Sequence, residues 1–200
     1  MFAEAARKKL MRRLGPFLIA CLAGSAAQAQ PVSYAMDPQH TQVHWEVRHF
    51  GTSTHRGRFE RAAGSITLDR TARRGEVSIS IDTASVSSGV GPLDGMLRGN
   101  NFLAASANPS AYFVASQMRF DGDRLAEVRG EFTLRGTSRP LSLRSTNFDC
   151  RIDEASKREV CGGDFEAELL RSDFGITFGL PLVGDKVRLL IAVEGSRSAP

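Results

Sequence analysis

Apolar and polar side chains alternate along several segments of the chain. In the first of these segments, Val43, Trp45 and Val47 stand at every second position, and polar residues stand between them. Because successive side chains of a β-strand point to opposite faces, this alternation predicts a half-buried strand. The same pattern recurs in further segments, at residues 64–69, 77–82, 112–120, 128–135, 141–150, 165–170 and 187–193.

Turn-forming residues separate these segments, as expected for strands joined by hairpins. They are Asp121-Gly122-Asp123, Gly136-Thr137-Ser138, Gly162-Gly163 and Gly184-Asp185. About eight strands at this spacing predict an all-β sandwich or barrel, and one-sided alternation favours antiparallel pairing. The exception is a segment in which Leu93 and Leu97 would share one face of a helix. We therefore predict an all-β antiparallel fold with one short helix near residues 92–99.

The first thirty residues differ from the rest of the chain. Basic residues between Arg7 and Arg13 precede a short apolar run, Leu14–Ala23, and Ala27-Gln28-Ala29 has the small-x-small form of a cleavage site. This order is typical of a secretory signal peptide, and the run is shorter than the roughly 20 residues that span a bilayer. We predict that residues 1–29 are removed on export to the periplasm. Lipid attachment at Cys21 is the alternative.

Removal of this segment changes the charge of the chain. The whole sequence carries 26 Lys and Arg residues against 22 Asp and Glu residues. Residues 1–29 hold five of the basic residues and one of the acidic ones, which leaves 21 of each sign in residues 30–200. A formal charge near zero gives no broad basic surface to attract a nucleic acid backbone. We therefore predict a single domain, residues 30–200, that does not bind nucleic acid.

Two of the three cysteines, Cys150 and Cys161, follow the predicted cleavage site. An even pair in an exported protein favours a disulfide, and the spacing fits two strands joined by a polar turn. A bridge that closes a loop of this length contributes roughly 2–3 kcal/mol of stability. Two free thiols, or part of a metal site, are the alternatives.

The histidines of the chain are confined to one short stretch, at His40, His44, His49 and His55. Four residues of strand span roughly 13 Å, whereas two nitrogen ligands of one zinc ion lie within about 4 Å of each other. A regular strand therefore separates His40 from His44, and His49 faces the opposite side from His44. We predict strand histidines and no metal site.

The chain contains no sequence signature of a common catalytic site. The glycines from Gly89 to Gly95 have the spacing GxGxxxG, which differs from the GxGxxG of dinucleotide-binding loops. GxSxG, HExxH and P-loop sequences are also missing. A hydrolase that lacks these signatures stays open as an alternative. The residues alone predict an exported antiparallel β-barrel, and they do not distinguish a barrel filled by side chains from a hollow one.

Several segments resemble the YceI-like family. The opening Asp37-Pro38-Gln39-His40-Thr41 is followed by an alternating strand and a second histidine, His49. In the middle of the chain, Gly130-x-Phe132-Thr133-Leu134-x-Gly136 is similar to a strand and turn of the family. The most specific segment is Arg171-Ser172-Asp173-Phe174-Gly175. The resemblance covers about residues 33–195, nearly all of the chain that follows the predicted signal peptide.

This resemblance implies a lipocalin-like antiparallel barrel that encloses a polyisoprenoid or similar amphiphilic lipid, such as an isoprenoid quinone. It implies a binding protein that is not an enzyme and that requires no cofactor, with the lipid or quinone as its ligand. Two alternatives stay open: an enzyme acting on a lipid or small amide in the same cavity, and an accessory domain that docks to a membrane oxidoreductase. The sequence does not decide whether the barrel forms a homodimer.

The resemblance also assigns the inward-facing side chains to the wall of a lipid cavity. We expect Phe102 and Phe174 to gate this cavity. The candidates for contact with the lipid headgroup are His49, Asp94 and Arg171, because a few polar groups at the mouth of an apolar site usually fix the ligand. The predicted cavity set is Trp45, Val47, His49, Phe59, Ile66, Ile79, Phe102, Val114, Met118, Phe132, Leu143, Phe174, Leu189 and Ile191.

Overall fold

Alternating side chains and hairpin turns produce a β-rich structure, as the sequence predicts. The computed structural model describes residues 31–198, so the predicted signal peptide and Cys21 lie outside the described residues. The described part of the chain forms one α-helix, α1 (Gly91–Arg98), which is not long and apolar enough to cross a membrane. Its strands are β1 (Val32–Met36), β2 (Gln42–His49), β3 (Ser53–Phe59), β4 (Ala62–Asp69), β5 (Arg74–Asp82), β6 (Val86–Ser87), β7 (Ser110–Asp121), β8 (Arg124–Leu134), β9 (Thr137–Ile152), β10 (Glu159–Leu170) and β11 (Val183–Arg197).

Most of these strands close into an antiparallel barrel. Around the barrel the order is β1, β4, β5, β7, β8, β9, β10 and β11, and β11 pairs with β1 to complete the ring. Residues 195–197 of β11 pair with β1, and residues 183–192 pair with β2 on the same side. β1 and β2 therefore occupy one position in the wall, one after the other. The predicted antiparallel barrel is confirmed.

The other short elements lie at one end of the barrel. β2 and β3 form a hairpin, and β3 pairs with β6 through Phe59 and Val86. α1 follows β6 and contains Pro92 in its first turn, where the missing backbone N–H is not needed. The prediction of one short helix near residues 92–99 is confirmed.

Strand β7 is an exception to the predicted alternation. Ala111 and Phe113 are buried, whereas Val114, which is predicted to face inward, is 56% exposed. The register between β7 and β8 shifts immediately after Ala115, and this irregularity restores the inward direction at Met118. The prediction for Val114 is therefore wrong, because small alanines occupy inward positions and a bulge divides the strand.

Gly162 and Gly163 lie inside strand β10 and not in a turn, contrary to the sequence prediction. A Cβ atom on Gly163 would lie 2.5 Å from the carbonyl oxygen of Asn147 and 3.2 Å from the ring of Phe165. The glycine thus permits the close approach of neighbouring backbone. The connection between β9 and β10 is formed instead by residues 153–158.

Cys150 on β9 and Cys161 on β10 form a disulfide, as predicted. The two residues face each other in the strand register, and their Cα atoms are 4.1 Å apart. A carboxylate oxygen of Glu159 lies near both sulfur atoms. Because the sulfurs are bonded to each other, this group does not offer the thiolate ligands of a metal site.

Candidate functional site

An apolar tunnel occupies the interior of the barrel. It consists of three cavities, which we name the inner, middle and outer cavities, with volumes of about 90, 120 and 280 Å³. Ile81, Phe132 and Leu189 line both the inner and the middle cavity, so these side chains stand between the two. The side chains shared by the middle and outer cavities are Trp45, Val47, Leu97, Phe102 and Val183. The outer cavity lies between α1, the β2–β3 turn and residues 178–183.

Strand β2 shows the direction of the tunnel. Val43 lines the inner cavity, and His49 lines the outer cavity. Between them, Trp45 and Val47 line the middle and outer cavities. Alternate residues of a strand stand roughly 6.6 Å apart, so these side chains form a row. The tunnel therefore runs from the β1 end of the barrel to an opening beside the β2–β3 turn.

The inner and middle cavities have room for hydrocarbon groups. A cavity of about 150 Å³ lined by apolar side chains stays dry and binds benzene. Each of these two cavities is somewhat smaller, so each holds a short hydrocarbon segment as it stands. A longer chain requires lining side chains to change rotamers. Met118 in the inner cavity is suited to this, because methionine is unbranched and flexible.

Most of the predicted cavity residues line the tunnel. They are Trp45, Val47, His49, Phe59, Ile66, Ile79, Phe102, Met118, Phe132, Leu143, Leu189 and Ile191. Val114 points to solvent instead. Phe174 is not among the lining residues of the three cavities, contrary to the prediction. It is buried in the same apolar core as Phe132 and packs edge-on against that ring, with 5.7 Å between the ring centroids, so it supports a lining side chain.

Sequence reasoning missed several parts of the wall. Tyr34 lines the inner cavity from β1, a strand too short to give a clear alternation. Phe113 lines the same cavity from the half of β7 where the predicted parity is wrong. Leu103 and Ile176 line the middle cavity from connecting segments, where no periodicity marks an inward direction.

Asp94 stands in the first turn of α1 and is not among the lining residues of the three cavities. Its carboxylate accepts hydrogen bonds from the backbone N–H and the hydroxyl group of Ser88, both at 2.6 Å. These bonds hold the pKa of Asp94 below its ordinary value. Asp94 therefore fixes the segment between β6 and α1, and its position does not fit the predicted headgroup contact.

Arg171 lines the middle cavity, but its guanidinium group is engaged with the backbone. The side chain is 5% exposed and donates hydrogen bonds of 2.9–3.0 Å to the carbonyl oxygens of Ile176, Phe178, Val183 and Gly184. Burial lowers the pKa of Arg171. These charge-assisted bonds hold the loop beside the opening in place. The predicted headgroup contact does not fit this arrangement, because most of the donors are already used.

His49 lies at the opening and stacks on His55, with ring centroids 3.9 Å apart and an angle of 14° between the ring planes. Both rings line the outer cavity. His40 forms a hydrogen bond with Asp37 at 2.7 Å, which raises the pKa of His40, and His44 lies on the outer face of β2. The histidines therefore do not converge on one point.

Trp45 stands where the middle and outer cavities meet. Its ring packs so closely on Gly57 that a Cβ atom at Gly57 would overlap the indole. The indole N–H has no hydrogen-bond acceptor among the described residues. A buried donor left without a partner costs roughly 1–3 kcal/mol.

Exposed apolar side chains surround the opening of the tunnel. Phe50, Met96, Phe178 and Leu182 each expose more than half of their surface and also line the outer cavity. They come from the β2–β3 turn, from α1 and from the loop that Arg171 holds. We name these four residues the mouth rim.

A family model described as YceI-like domain matches residues 34–195. The UPF0312 protein of Pseudomonas aeruginosa strain LESB58 is 32% identical over 176 residues, which cover 86% of this chain and 91% of that protein. Protein YceI of Shigella flexneri is 30% identical over 179 residues, which cover 88% of this chain and 93% of that protein.

Solved structures have the same fold. BcnA of Burkholderia cenocepacia superposes with a TM-score of 0.65 at 20% identity, covering 80% of this chain and 98% of that one. A polyisoprenoid binding domain from Saccharophagus degradans, implicated in plant cell wall breakdown, gives a TM-score of 0.60 at 14% identity, covering 84% of this chain and 99% of that one. At these identities the structural likeness establishes the fold alone.

Proposed function

This chain belongs to the YceI-like domain family, and on this basis we propose that it binds a polyisoprenoid or similar amphiphilic lipid, such as an isoprenoid quinone. The observation that carries the proposal is the row of apolar cavities that opens beside α1 and the β2–β3 turn. The similar domain from Saccharophagus degradans is named for polyisoprenoid binding, which supports the same ligand class. The lipid tail would lie in the tunnel and the headgroup at the opening.

Burial of the tail supplies the affinity in this proposal. Each CH₂ group removed from water is stabilised by roughly 0.8 kcal/mol. Loss of free motion and ordering of the tail oppose this gain. We therefore expect affinity to rise with each isoprene unit that enters the tunnel, and to level off once the tunnel is full.

The headgroup would meet a small number of polar side chains. His49 and His55 offer ring nitrogens at the opening. A neutral imidazole has one N–H donor, so we favour a headgroup with acceptor oxygens, such as the carbonyl groups of a quinone. The N–H of Trp45 is buried too deeply for a ligand to reach it in this structure.

We propose that the protein works in the periplasm after removal of residues 1–29. The disulfide between Cys150 and Cys161 supports this location, because structural disulfides persist in oxidising compartments. A polyprenyl chain does not dissolve in water, so the barrel would carry or buffer it there. Anchoring at Cys21 is the alternative, and the mass of the N-terminal peptide distinguishes the two.

The polar groups that line the tunnel fit a binding function better than an enzymatic function. Within the described residues, the titratable side chains that line the tunnel are Tyr34, His49, His55 and Arg171. The hydroxyl group of Tyr34 donates to Glu159, and Arg171 is bound to backbone carbonyls. An acid–base pair acting on a lipid or amide must converge on the reacting atoms. The stacked histidines remain the candidates for that alternative.

Docking to a membrane oxidoreductase is the second candidate function. The exposed mouth rim favours it, because contiguous exposed apolar side chains often mark an interaction site. This function predicts co-purification with the oxidoreductase and no lipid in the tunnel. A homodimer formed through the same four residues would be detected as a dimer by sedimentation.

Organic extraction and mass spectrometry of the purified protein, residues 30–200, test lipid binding. We expect one class of isoprenoid lipid in near-stoichiometric amount. If the purified protein contains no lipid, it is mixed with an isoprenoid quinone in detergent micelles. The quinone that remains bound after gel filtration is then measured. A folded protein that contains no lipid and takes up no quinone would contradict the proposal.

A further inference from the structure

The mouth rim exposes a large apolar surface at one place. Its members Phe50, Met96, Phe178 and Leu182 are 52–57% exposed, and they belong to three separate segments of the chain. The backbone N–H of Phe50 donates to the carbonyl oxygen of Leu182 at 2.7 Å, which joins two of these segments. All four residues line the outer cavity, so the rim surrounds one opening.

Phe50 occupies a backbone position that disfavours it. The backbone N–H of Thr52 donates to the carbonyl oxygen of His49 at 3.1 Å, which closes a turn. The two central residues, Phe50 and Gly51, have φ angles of 49° and 68°. Asparagine and glycine accept this left-handed conformation most easily, and a bulky side chain there is unusual. The Phe50 ring packs edge-on against His49, with 4.5 Å between the ring centroids, yet 55% of the residue stays exposed, which leaves an apolar surface for a partner outside the chain.

The charges around the rim follow a simple pattern. Among the described residues, no Asp, Glu, Lys or Arg side chain lines the outer cavity. One exposed arginine, Arg48, stands at the rim, because its guanidinium donates to the carbonyl oxygen of Gly51 in the β2–β3 turn and to Thr54. Within residues 31–198, Arg48 forms no ion pair with a carboxylate. Apolar tips with an arginine beside them suit the boundary between lipid tails and anionic headgroups.

We propose that the mouth rim docks on the surface of a bilayer that contains anionic phospholipid. Phe50, Met96, Phe178 and Leu182 enter the headgroup region, and Arg48 meets lipid phosphates. The backbone of the turn and of the loop is bonded internally, as in the bonds from Phe50 N–H to the carbonyl oxygen of Leu182 at 2.7 Å and from Val183 N–H to that of Gly179 at 2.8 Å, so these segments offer their apolar side chains to a partner. Docking in this orientation also places the tunnel opening against the membrane, so that a lipid passes between them without crossing water.

Vesicle flotation tests this docking with lipid-free protein, residues 30–200. One set of vesicles contains phosphatidylcholine alone, and the other contains phosphatidylcholine with phosphatidylglycerol. We expect the protein to float with the second set and at least fivefold less with the first. Because lipid-free protein is used, the outcome does not depend on whether the tunnel proves to bind an isoprenoid.

Substitutions at the rim give the decisive comparison. Phe50→Asn combined with Leu182→Ser should reduce flotation at least fivefold, and asparagine suits the left-handed φ of residue 50. The matched control is Val114→Ser combined with Ile152→Ser, because these residues are also more than half exposed but lie away from the opening. Circular dichroism and thermal melting check that both double variants are folded.

Several results would overturn the docking proposal. One is the absence of flotation with either set of vesicles, and another is an equal loss in the control variant. Binding to natural membranes that protease treatment abolishes, without binding to protein-free vesicles, would assign the rim to a membrane protein instead. A dimer in sedimentation that the rim variant dissociates, again without vesicle binding, would assign it to a second copy of the chain.

Discussion

Ala111 and Val114 lie three residues apart on strand β7 and face opposite sides of the barrel wall. Ala111 is 1% exposed and lines the middle cavity, whereas Val114 is 56% exposed to solvent. Leucine can therefore be introduced on the inner face of β7 at residue 111 and on its outer face at residue 114. Comparison of the two variants distinguishes an effect of filling the tunnel from an effect of changing the strand.

Ala111→Leu should fill part of the middle cavity and reduce the amount of bound lipid at least tenfold. Overpacking of this kind typically costs about 1–3 kcal/mol of stability, which a stable barrel tolerates. Val114→Leu should leave both lipid content and stability near the values of the unmodified protein. Extracted lipid per protein and the urea unfolding midpoint are the measurements. Equal lipid content in the two variants would contradict a ligand in the middle cavity.

The raised pKa of Tyr34 predicts a loss of stability at alkaline pH. Its hydroxyl group donates to Glu159 at 2.9 Å, and burial, together with this contact, raises its pKa to about 12. Because the folded-state pKa lies above the ordinary tyrosine value of 10.0, this contribution is complete below about pH 10 and is lost as pH rises toward 12. A shift of this size corresponds to about 2–3 kcal/mol.

Urea unfolding between pH 8 and about 11.5 measures this loss, and Tyr34→Phe should make the decline shallower because phenylalanine does not titrate. The disulfide should be verified by mass at each pH. A variant whose stability falls as steeply as that of the unmodified protein would show that another group is responsible.

Arg171→Lys should destabilise the lipid-free protein by about 3–5 kcal/mol, although the charge is kept. Lysine cannot reproduce the fork of bonds to Ile176, Phe178, Val183 and Gly184, and buried acceptors are left unpaired. The measurement is the free energy of unfolding in urea.

The control for this change is Arg139→Lys, because Arg139 is exposed and, among the residues that the structure describes, donates only to the neighbouring carbonyl oxygen of Ser138. It should change stability by less than about 0.5 kcal/mol. If Arg171→Lys preserved the stability of the lipid-free protein but weakened lipid binding, a headgroup role for Arg171 would be restored.

Gly57→Ala should push the Trp45 ring out of its position, because the added Cβ overlaps the indole and also lies 2.5 Å from the carbonyl oxygen of Ser87. We expect a loss of about 1–3 kcal/mol in stability and a change in tryptophan fluorescence, which reports on Trp45 as the one tryptophan of the chain.

Gly95→Ala is the matched control for Gly57→Ala. It lies in α1 with open space around it, so alanine should be neutral or stabilise by about 0.5–1 kcal/mol. Unchanged fluorescence in the Gly57 variant would contradict the close packing of Trp45 on strand β3.

The wall of the barrel follows from side-chain alternation because one face of each strand packs inward. The inward direction of Trp45, Val47 and Phe132 can therefore be assigned without knowing which side chains they meet across the barrel. The family resemblance is confirmed by the match over residues 34–195. Val114 shows where this reasoning fails: a bulge changes the parity within one strand, and only pairing with β8 reveals it.

The polar part of the site was less predictable for a different reason. Asp94 and Arg171 are polar residues in segments near the tunnel opening, which makes them natural candidates for ligand contact. The structure shows that local partners, Ser88 and a set of backbone carbonyls, already satisfy them. Hydrogen bonds of this kind depend on loop conformation, and no periodicity in the sequence specifies that conformation. His49 differs, because its parity places it on the inner face of β2 and its position at the end of that strand places it at the opening.

Both described ends of the chain leave the barrel at the side away from the mouth rim. β1 begins and β11 ends there, and the backbone N–H of Ser198 donates to the carbonyl oxygen of Ser33 at 2.8 Å. An affinity tag, fluorophore or surface linkage attached at either end would therefore hold the protein with its tunnel opening directed outward. A sensor chip or bead coated in this way presents the opening to vesicles or to free lipid, without any change to the residues that surround it.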